Sequence, residues 1–221
     1  MTTSEDLFER FCKENNIGYS KIEESTIKTP DYEIEIDGLT VITEIKQIDP
    51  NKEEKELIRK LENGEMVTTG GTPGDRVRSK IKSASPQLSK LAKGKYPSIV
   101  VLFNNIPFAL GNPTEAYNIR VGMYGLESIV LSVPNNYEAP PTVKDRKFGP
   151  KRKLTEEHNT TISAVAVLSK NQEGELRLEV YHNQFAAIPL PHGLLSTRNV
   201  SEYVLSENQT GVFQEWKSID S

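Results

Sequence analysis

Apolar residues recur at helical spacing at the start of the chain: Leu7, Phe8, Phe11 and Cys12 share one face of a segment from Ser4 to about Asn15. Thr3, with Asp6 three residues later, resembles a capping box, and Gly18 ends the helix. From Tyr32 to Gln47 the period changes to two and is interrupted by Asp37-Gly38, which predicts a hairpin closed by a tight turn. Residues 51–65 are charged and helix-prone, and residues 68–74, Thr-Thr-Gly-Gly-Thr-Pro-Gly, must be an irregular loop. A basic helix is expected from about Asp75 to Lys93, kinked or split at Pro86. Ser98 to Phe103 is all but uninterruptedly apolar, as in a strand buried on both faces of a central sheet. Residues 114–125 predict a further helix and Ser128 to Val133 a strand. Residues 134–158, rich in Pro, Asn and Lys, read as a long mobile loop. Strands near 160–168 and 175–182 complete a single α/β domain of 221 residues, with a mixed central sheet flanked by helices.

The hairpin carries the chemistry. With a two-residue turn at Asp37-Gly38, Ile36 faces Leu39, Ile34 faces Val41, Tyr32 faces Thr43, and Asp31 faces Glu44. Alternation outward from the turn puts Asp31 and Glu44 on a non-hydrogen-bonded pair, with Cα atoms about 4.5 Å apart. Lys46 joins their face, whereas Tyr32, Ile34, Ile36, Leu39, Val41 and Ile45 occupy the other and supply core. Two carboxylates directly across a strand pair repel, so something must compensate. A divalent cation does so naturally: Mg²⁺ commonly uses one or two carboxylates together with waters and a substrate phosphate. Lys46 beside such an ion can orient the attacking water, help deprotonate it, or offset charge developing on phosphorus. The plainer alternative is an exposed hairpin with a charged outer face, in which Glu33 and Glu35 are further members.

Net charge is −4, but the charge is unevenly spread. Residues 1–65 hold 9 Lys/Arg and 17 Asp/Glu, whereas residues 76–95 hold seven basic residues and no acidic one. A second basic run, Lys144 to Lys153, has six Lys/Arg against the single Asp145. Such polarity suits basic segments presented to phosphates around an acidic metal pocket, and equally suits two solvated lysine-rich surfaces. No apolar run approaches the roughly 20 residues that cross a bilayer. The N-terminus lacks the layout of a secretory signal and Cys12 is the only cysteine, so the expectation is a cytoplasmic protein without internal disulfides.

The string Thr29-Pro30-Asp31, twelve residues, then Glu44-Ile45-Lys46 resembles the PD-(D/E)XK, or restriction-endonuclease-like, superfamily, whose motif is a Pro-Asp on one strand and an acidic-X-Lys on the next. The resemblance covers about residues 4–105. It implies a four- or five-stranded mixed sheet and a nuclease acting more often on DNA than on RNA. Its members often carry a glutamate on the first helix that reaches the metal site: Glu9, at the helix centre, is the choice here, with Glu5 one turn earlier as the alternative. They also often place a Gln, Lys or Arg on the following helix, for which Gln47, Lys80 and Gln87 are candidates. In this reading Arg76, Arg78, Lys80 and Gln87, with Lys147, Lys151 and Arg152 of the second basic run, contact the nucleic-acid backbone, which positions a substrate without reading its sequence.

Other signals carry less. Gly70 to Gly74 lacks the Gly-Lys-Ser/Thr ending of a phosphate-binding loop and reads as a linker. His158, His182 and His192 have no zinc-site spacing, and Cys12 is a small hydrophobe on the first helix. The stretch from Tyr181-His182-Asn183-Gln184-Phe185 to Pro189-Leu190-Pro191-His192 has several aromatic and polar residues near a strand end; His192 is a candidate for substrate contact, with a surface turn the plainer reading. The expectation is therefore a Mg²⁺-dependent DNA endonuclease (Mn²⁺ as the other ion) with Asp31 and Glu44 as metal ligands, Lys46 at the water and Glu9 in support. The rival classes are a non-catalytic nucleic-acid-binding module of the same fold and a protein-interaction domain. Double-strand cleavage by a small single-site nuclease usually needs two protomers, which makes a homodimer a candidate assembly.

Overall fold

Thr2 caps the first helix, α1 (Thr3–Glu14): its hydroxyl accepts from the Glu5 amide (3.3 Å) and the Glu5 carboxylate accepts from the Thr2 amide (2.7 Å). The capping box is therefore real but lies one residue before the pair expected from sequence. The computed structural model describes residues 2–23, 28–134, 140–195, 199–207 and 214–219. After α1 follow β1 (Gly18–Lys21), β2 (Tyr32–Ile36), β3 (Leu39–Ile48), α2 (Lys52–Glu62), α3 (Asp75–Leu91) and β4 (Ser98–Asn104). A 3-10 turn (Phe108–Leu110) leads to α4 (Ala116–Tyr124), β5 (Glu127–Ser132), β6 (Thr142–Phe148), β7 (Ala164–Lys170), β8 (Leu176–His182), β9 (Val200–Glu207) and β10 (Gln214–Ser218).

The main sheet runs β1-β2-β3-β4-β7-β8-β9-β10, with β3, β4 and β7 parallel and β8 parallel to β9. Eight strands replace the four or five implied by the resemblance. The hairpin register is as the alternation predicted, from Ile36↔Leu39 to Tyr32↔Thr43. Asp37 and Gly38 both take positive φ, 50° and 78°, as a two-residue turn matched to strand twist requires. One face of the sheet packs Leu7, Phe8 and Phe11 of α1 against Tyr32, Ile34, Val41 and Ile45. The other packs Val77, Ile81 and Leu88 of α3, and Ile119 and Met123 of α4, against Ile42, Val100, Leu102 and Val165. Helices on both faces of a largely parallel centre explain why β4 is apolar at nearly every position.

Helix α3 is not split: it runs as one element through Pro86. Pro86 and Lys82 are both exposed, so the Lys82 carbonyl that the proline cannot satisfy is open to water. Where α3 meets α4, a side chain at Gly122 would place a Cβ 2.5 Å from Val77 Cγ1, so glycine is what lets the two helices approach.

The stretch expected as a mobile loop is largely ordered. Thr142–Phe148 is β6, antiparallel to β5 in a separate two-stranded ribbon. Its polar composition disguised it, because Arg146 makes ion pairs to Glu127 (3.2 Å) and Glu207 (3.1 Å) instead of filling a core. Beyond the ribbon, Leu154 is buried and its amide donates to the Met123 carbonyl (2.9 Å). Residues 135–139 of that stretch lie outside the described residues. At the far end of the sheet the single tryptophan, Trp216 of β10, donates to the Ala116 carbonyl (2.9 Å) and packs on Tyr181 and Tyr124, with ring centroids 4.9 and 6.2 Å away. No helix among the described residues is long and apolar enough to cross a membrane.

Candidate active site

Along one face of β3 the residues alternate as Ile42, packed on α3, then Glu44 and Lys46, then Ile48, packed on α2, so a carboxylate and an amine occupy two positions of an otherwise apolar row. Glu44 is fully buried, at 0% exposure. A buried carboxylate without full hydrogen bonding costs stability, and a row that breaks the core pattern in this way makes Glu44 a candidate position for chemistry. Glu44 Oε1 accepts from Lys46 Nζ in a short ion pair, whereas Glu44 Oε2 is buried with no hydrogen-bond partner. Lys46 offsets one oxygen directly, and the backbone of Asp31 also acts on the carboxylate and favours its charge.

Asp31 lies immediately before β2, where the β2–β3 ladder has already ended at Tyr32↔Thr43. It does not form the direct cross-strand pair expected with Glu44. Instead its Oδ2 accepts from the Ile45 amide (2.7 Å), and its carbonyl accepts from the Ile22 amide (2.9 Å). This clamps Asp31 onto β3 between Glu44 and Lys46. The three residues, with Lys21, Ile22, Lys28, Thr29, Pro30 and Gln87, line one pocket of about 230 Å³.

Both carboxylates hold their protons more firmly than usual. Burial pushes Glu44 up to about 7, and the neighbouring Asp31 charge adds to the rise against the pull of Lys46. Burial likewise raises Asp31, opposed by its bond from Ile45 and by the Lys46 charge. Two carboxyl groups raised in one pocket, chiefly by burial and in spite of the nearby Lys46 charge, are the kind of perturbed pair that a bound cation would stabilise in the charged form. Among the described residues no three His, Cys, Asp or Glu side chains converge to hold a metal. The protein would therefore supply two carboxylates, with one unpartnered oxygen already in place, and leave the other positions to water and substrate, a donor set suited to Mg²⁺.

Helix α3 closes the other side. Gln87 accepts from Lys46 Nζ (3.3 Å) and donates to the Thr29 carbonyl (2.9 Å), so it ties the amine to the turn that carries Asp31. Lys80, one face and two turns earlier, is half-buried, and burial with the nearby Arg76 charge lowers its pKa; the charges of Lys46 and Asp49 also reach it. Gln47 points elsewhere, accepting from the Ser4 amide (3.1 Å) and donating to Asp49 (2.6 Å).

The remaining candidates divide. Glu9 accepts from the hydroxyls of Tyr32 (2.9 Å) and Tyr19 (3.3 Å), and Glu5 is the α1 carboxylate whose charge raises Asp31. Arg76 pairs with Glu54 (3.2 Å) and donates to the Asp49 carbonyl in a short bond. Arg78 leaves the set of phosphate-contacting residues: it is only 6% exposed and donates to the carbonyls of Val121 (3.2 Å) and Pro73 (2.9 Å), locking α3 to α4. Lys147 and Lys151 are exposed, and Arg152 lies over the Phe148 ring, 5.6 Å from its centroid. These three belong to the ribbon and its exit, and do not line the Asp31–Glu44 pocket.

Sequence reading passed over a second buried acid. Glu202 of β9 accepts from His182 (2.8 Å) and from the Gly193 amide (3.1 Å). Burial raises its pKa, but these bonds outweigh it and the net shift is downward. His182 ends β8, on the strand expected near 175–182, and only the seating of β9 beside it reveals the contact. Comparison with protein-family models, with curated proteins and with solved structures finds no match to this chain.

Proposed function

We propose that this protein is a metal-dependent nuclease, hydrolysing phosphodiester bonds of nucleic acid, with DNA as the preferred substrate and endonucleolytic cleavage as the mode. The observation that carries the reading is the buried, unpartnered Glu44 Oε2 in a pocket shared with Asp31 and Lys46. Asp31 and Glu44 would hold Mg²⁺ or Mn²⁺, which when bound lowers the pKa of water and stabilises charge on a phosphoryl oxygen. Asp31 is oriented by the Ile45 amide, and Lys46, on β3, is oriented by Gln87, so both are fixed at the pocket. Lys46 would hold the attacking water and offset charge developing on phosphorus. From α1, Glu5 acts on the pocket through its charge on Asp31, whereas Glu9, the helix glutamate expected there, is bonded to Tyr32 and Tyr19 and does not line the pocket.

The rival reading, a non-catalytic nucleic-acid-binding module of the same fold, draws on the two-carboxylate ligand set. One experiment separates them. Supercoiled plasmid and single-stranded DNA are incubated with the protein in Mg²⁺, Mn²⁺ or EDTA, beside Asp31→Ala and Lys46→Ala. Metal-dependent nicking lost in both folded variants supports the nuclease. Cleavage that persists unchanged in the variants removes these residues from the chemistry, and binding without cleavage in any metal selects the module.

A further inference from the structure

The parallel strands β3, β4 and β7 end on the same side of the sheet, and open parallel sheets bind ligands beyond their carboxyl ends. A pocket of about 220 Å³ occupies that position at the ends of β4 and β7. Phe108 stands at it 89% exposed, an aromatic ring that contributes almost nothing to the core. Asn112 and Thr114 form a polar wall: Thr114 donates to Asn112 Oδ1 (2.8 Å), which leaves the Asn112 amide nitrogen without a partner among the described residues. Lys170, exposed and in no described ion pair, adds one cation at the rim. A ring, an amide edge and an ammonium around one small cavity match the face, edge and phosphate of a nucleotide.

The pocket is also close to the candidate active site. Lys46 pairs with Leu102, and Asn104 of the pocket lies two residues further along the neighbouring strand. At about 3.3 Å per residue and about 4.8 Å between strands, the two Cα atoms are about 8 Å apart. A strand whose phosphate sits against Lys46 therefore reaches the pocket within a nucleotide or two.

We propose that this carboxyl-end pocket takes one unpaired nucleotide of the substrate strand, its base on the Phe108 ring, its edge on Asn112 and its phosphate on Lys170. This rests on the nuclease reading and narrows its substrate class: the preferred substrates are single strands, or duplexes with an unpaired nucleotide beside the cleaved bond. An intact duplex keeps its bases stacked inside and cannot offer one to Phe108.

Binding in EDTA tests the pocket apart from cleavage. Fluorescence anisotropy is measured with a labelled single-stranded oligonucleotide and the matching duplex, using the wild-type protein, Phe108→Ala, Phe108→Tyr and Lys170→Ala. The single strand should bind more tightly than the duplex. Phe108→Ala should weaken single-strand binding roughly tenfold or more, Phe108→Tyr should restore it, and Lys170→Ala should weaken it and flatten its salt dependence. Wild-type binding of neither strand, equal losses on strand and duplex, or no loss in Phe108→Ala would each overturn the pocket, the first pointing to a protein partner for Phe108. Metal-dependent cleavage with Phe108-independent affinity would sink the pocket alone. Phe108-dependent affinity with no cleavage in any metal would sink the nuclease alone.

Discussion

Glu44 holds a proton at a pH where an ordinary glutamate has long lost it, and the consequence for stability has a definite sign. Its folded value, about 7, lies above its usual range because burial disfavours the charge. The folded state then binds more protons than the unfolded one between about pH 4.5 and 7, so the metal-free protein loses stability as pH rises through that window. Glu44→Gln should therefore raise Tm at pH 8 and change it little at pH 4, measured by thermal melts in EDTA. A cation competes with that proton, so the increase in Tm caused by Mg²⁺ should be larger at pH 8 than at pH 6, and should vanish in Asp31→Asn. An increase independent of pH, or one retained in Asp31→Asn, would place the ion elsewhere.

Among the elements, the hairpin was the most legible from sequence, because period-two alternation and a turn demanding positive φ are both local signals. Legible too was β4, whose apolar run reflects coverage on both faces. Less was visible where a polar residue takes a core position or an ion pair replaces a hydrophobe: Glu202 interrupts the pattern of β9, and Arg146 made β6 read as a loop. The site followed the same division. Asp31, Glu44 and Lys46 stood out by spacing, whereas Gln87 was one of three candidates that the resemblance offered, and its bridge to Lys46 depends on how α3 is seated. Close packing at the α3–α4 crossing leads to a further expectation. Gly122→Ala should destabilise the protein by about 1–3 kcal/mol, because the added methyl overlaps Val77. Chemical denaturation of Gly122→Ala and of Gly122→Ala with Val77→Ala tests this, since the double variant should recover part of the loss; equal stabilities would mean that the helices separate freely.

Across the whole molecule, charge is unevenly spread: residues 1–65 hold 17 of the 31 acidic residues, and α3 has none after Asp75. Net charge alone would argue against a polyanionic partner, so the local arrangement must decide. Lys80 is half-buried within reach of the Lys46 charge, whereas Arg78, two residues earlier, is spent inside the fold. Lys80→Ala should accordingly reduce the salt slope of DNA binding by about one unit. Binding titrations from low to moderate salt would reveal it, and an unchanged slope would remove Lys80 from the phosphate contacts.

The last described strand holds the only tryptophan, enclosed by Tyr124 and Tyr181 at the edge of the sheet remote from β1. Its emission is therefore an intrinsic optical gauge of that edge, free of any label. Denaturant that frees β10 before the hairpin melts would shift this emission to the red while Mg²⁺ still protects the pocket, so one spectrum can tell whether the two ends of the sheet come apart together or in sequence.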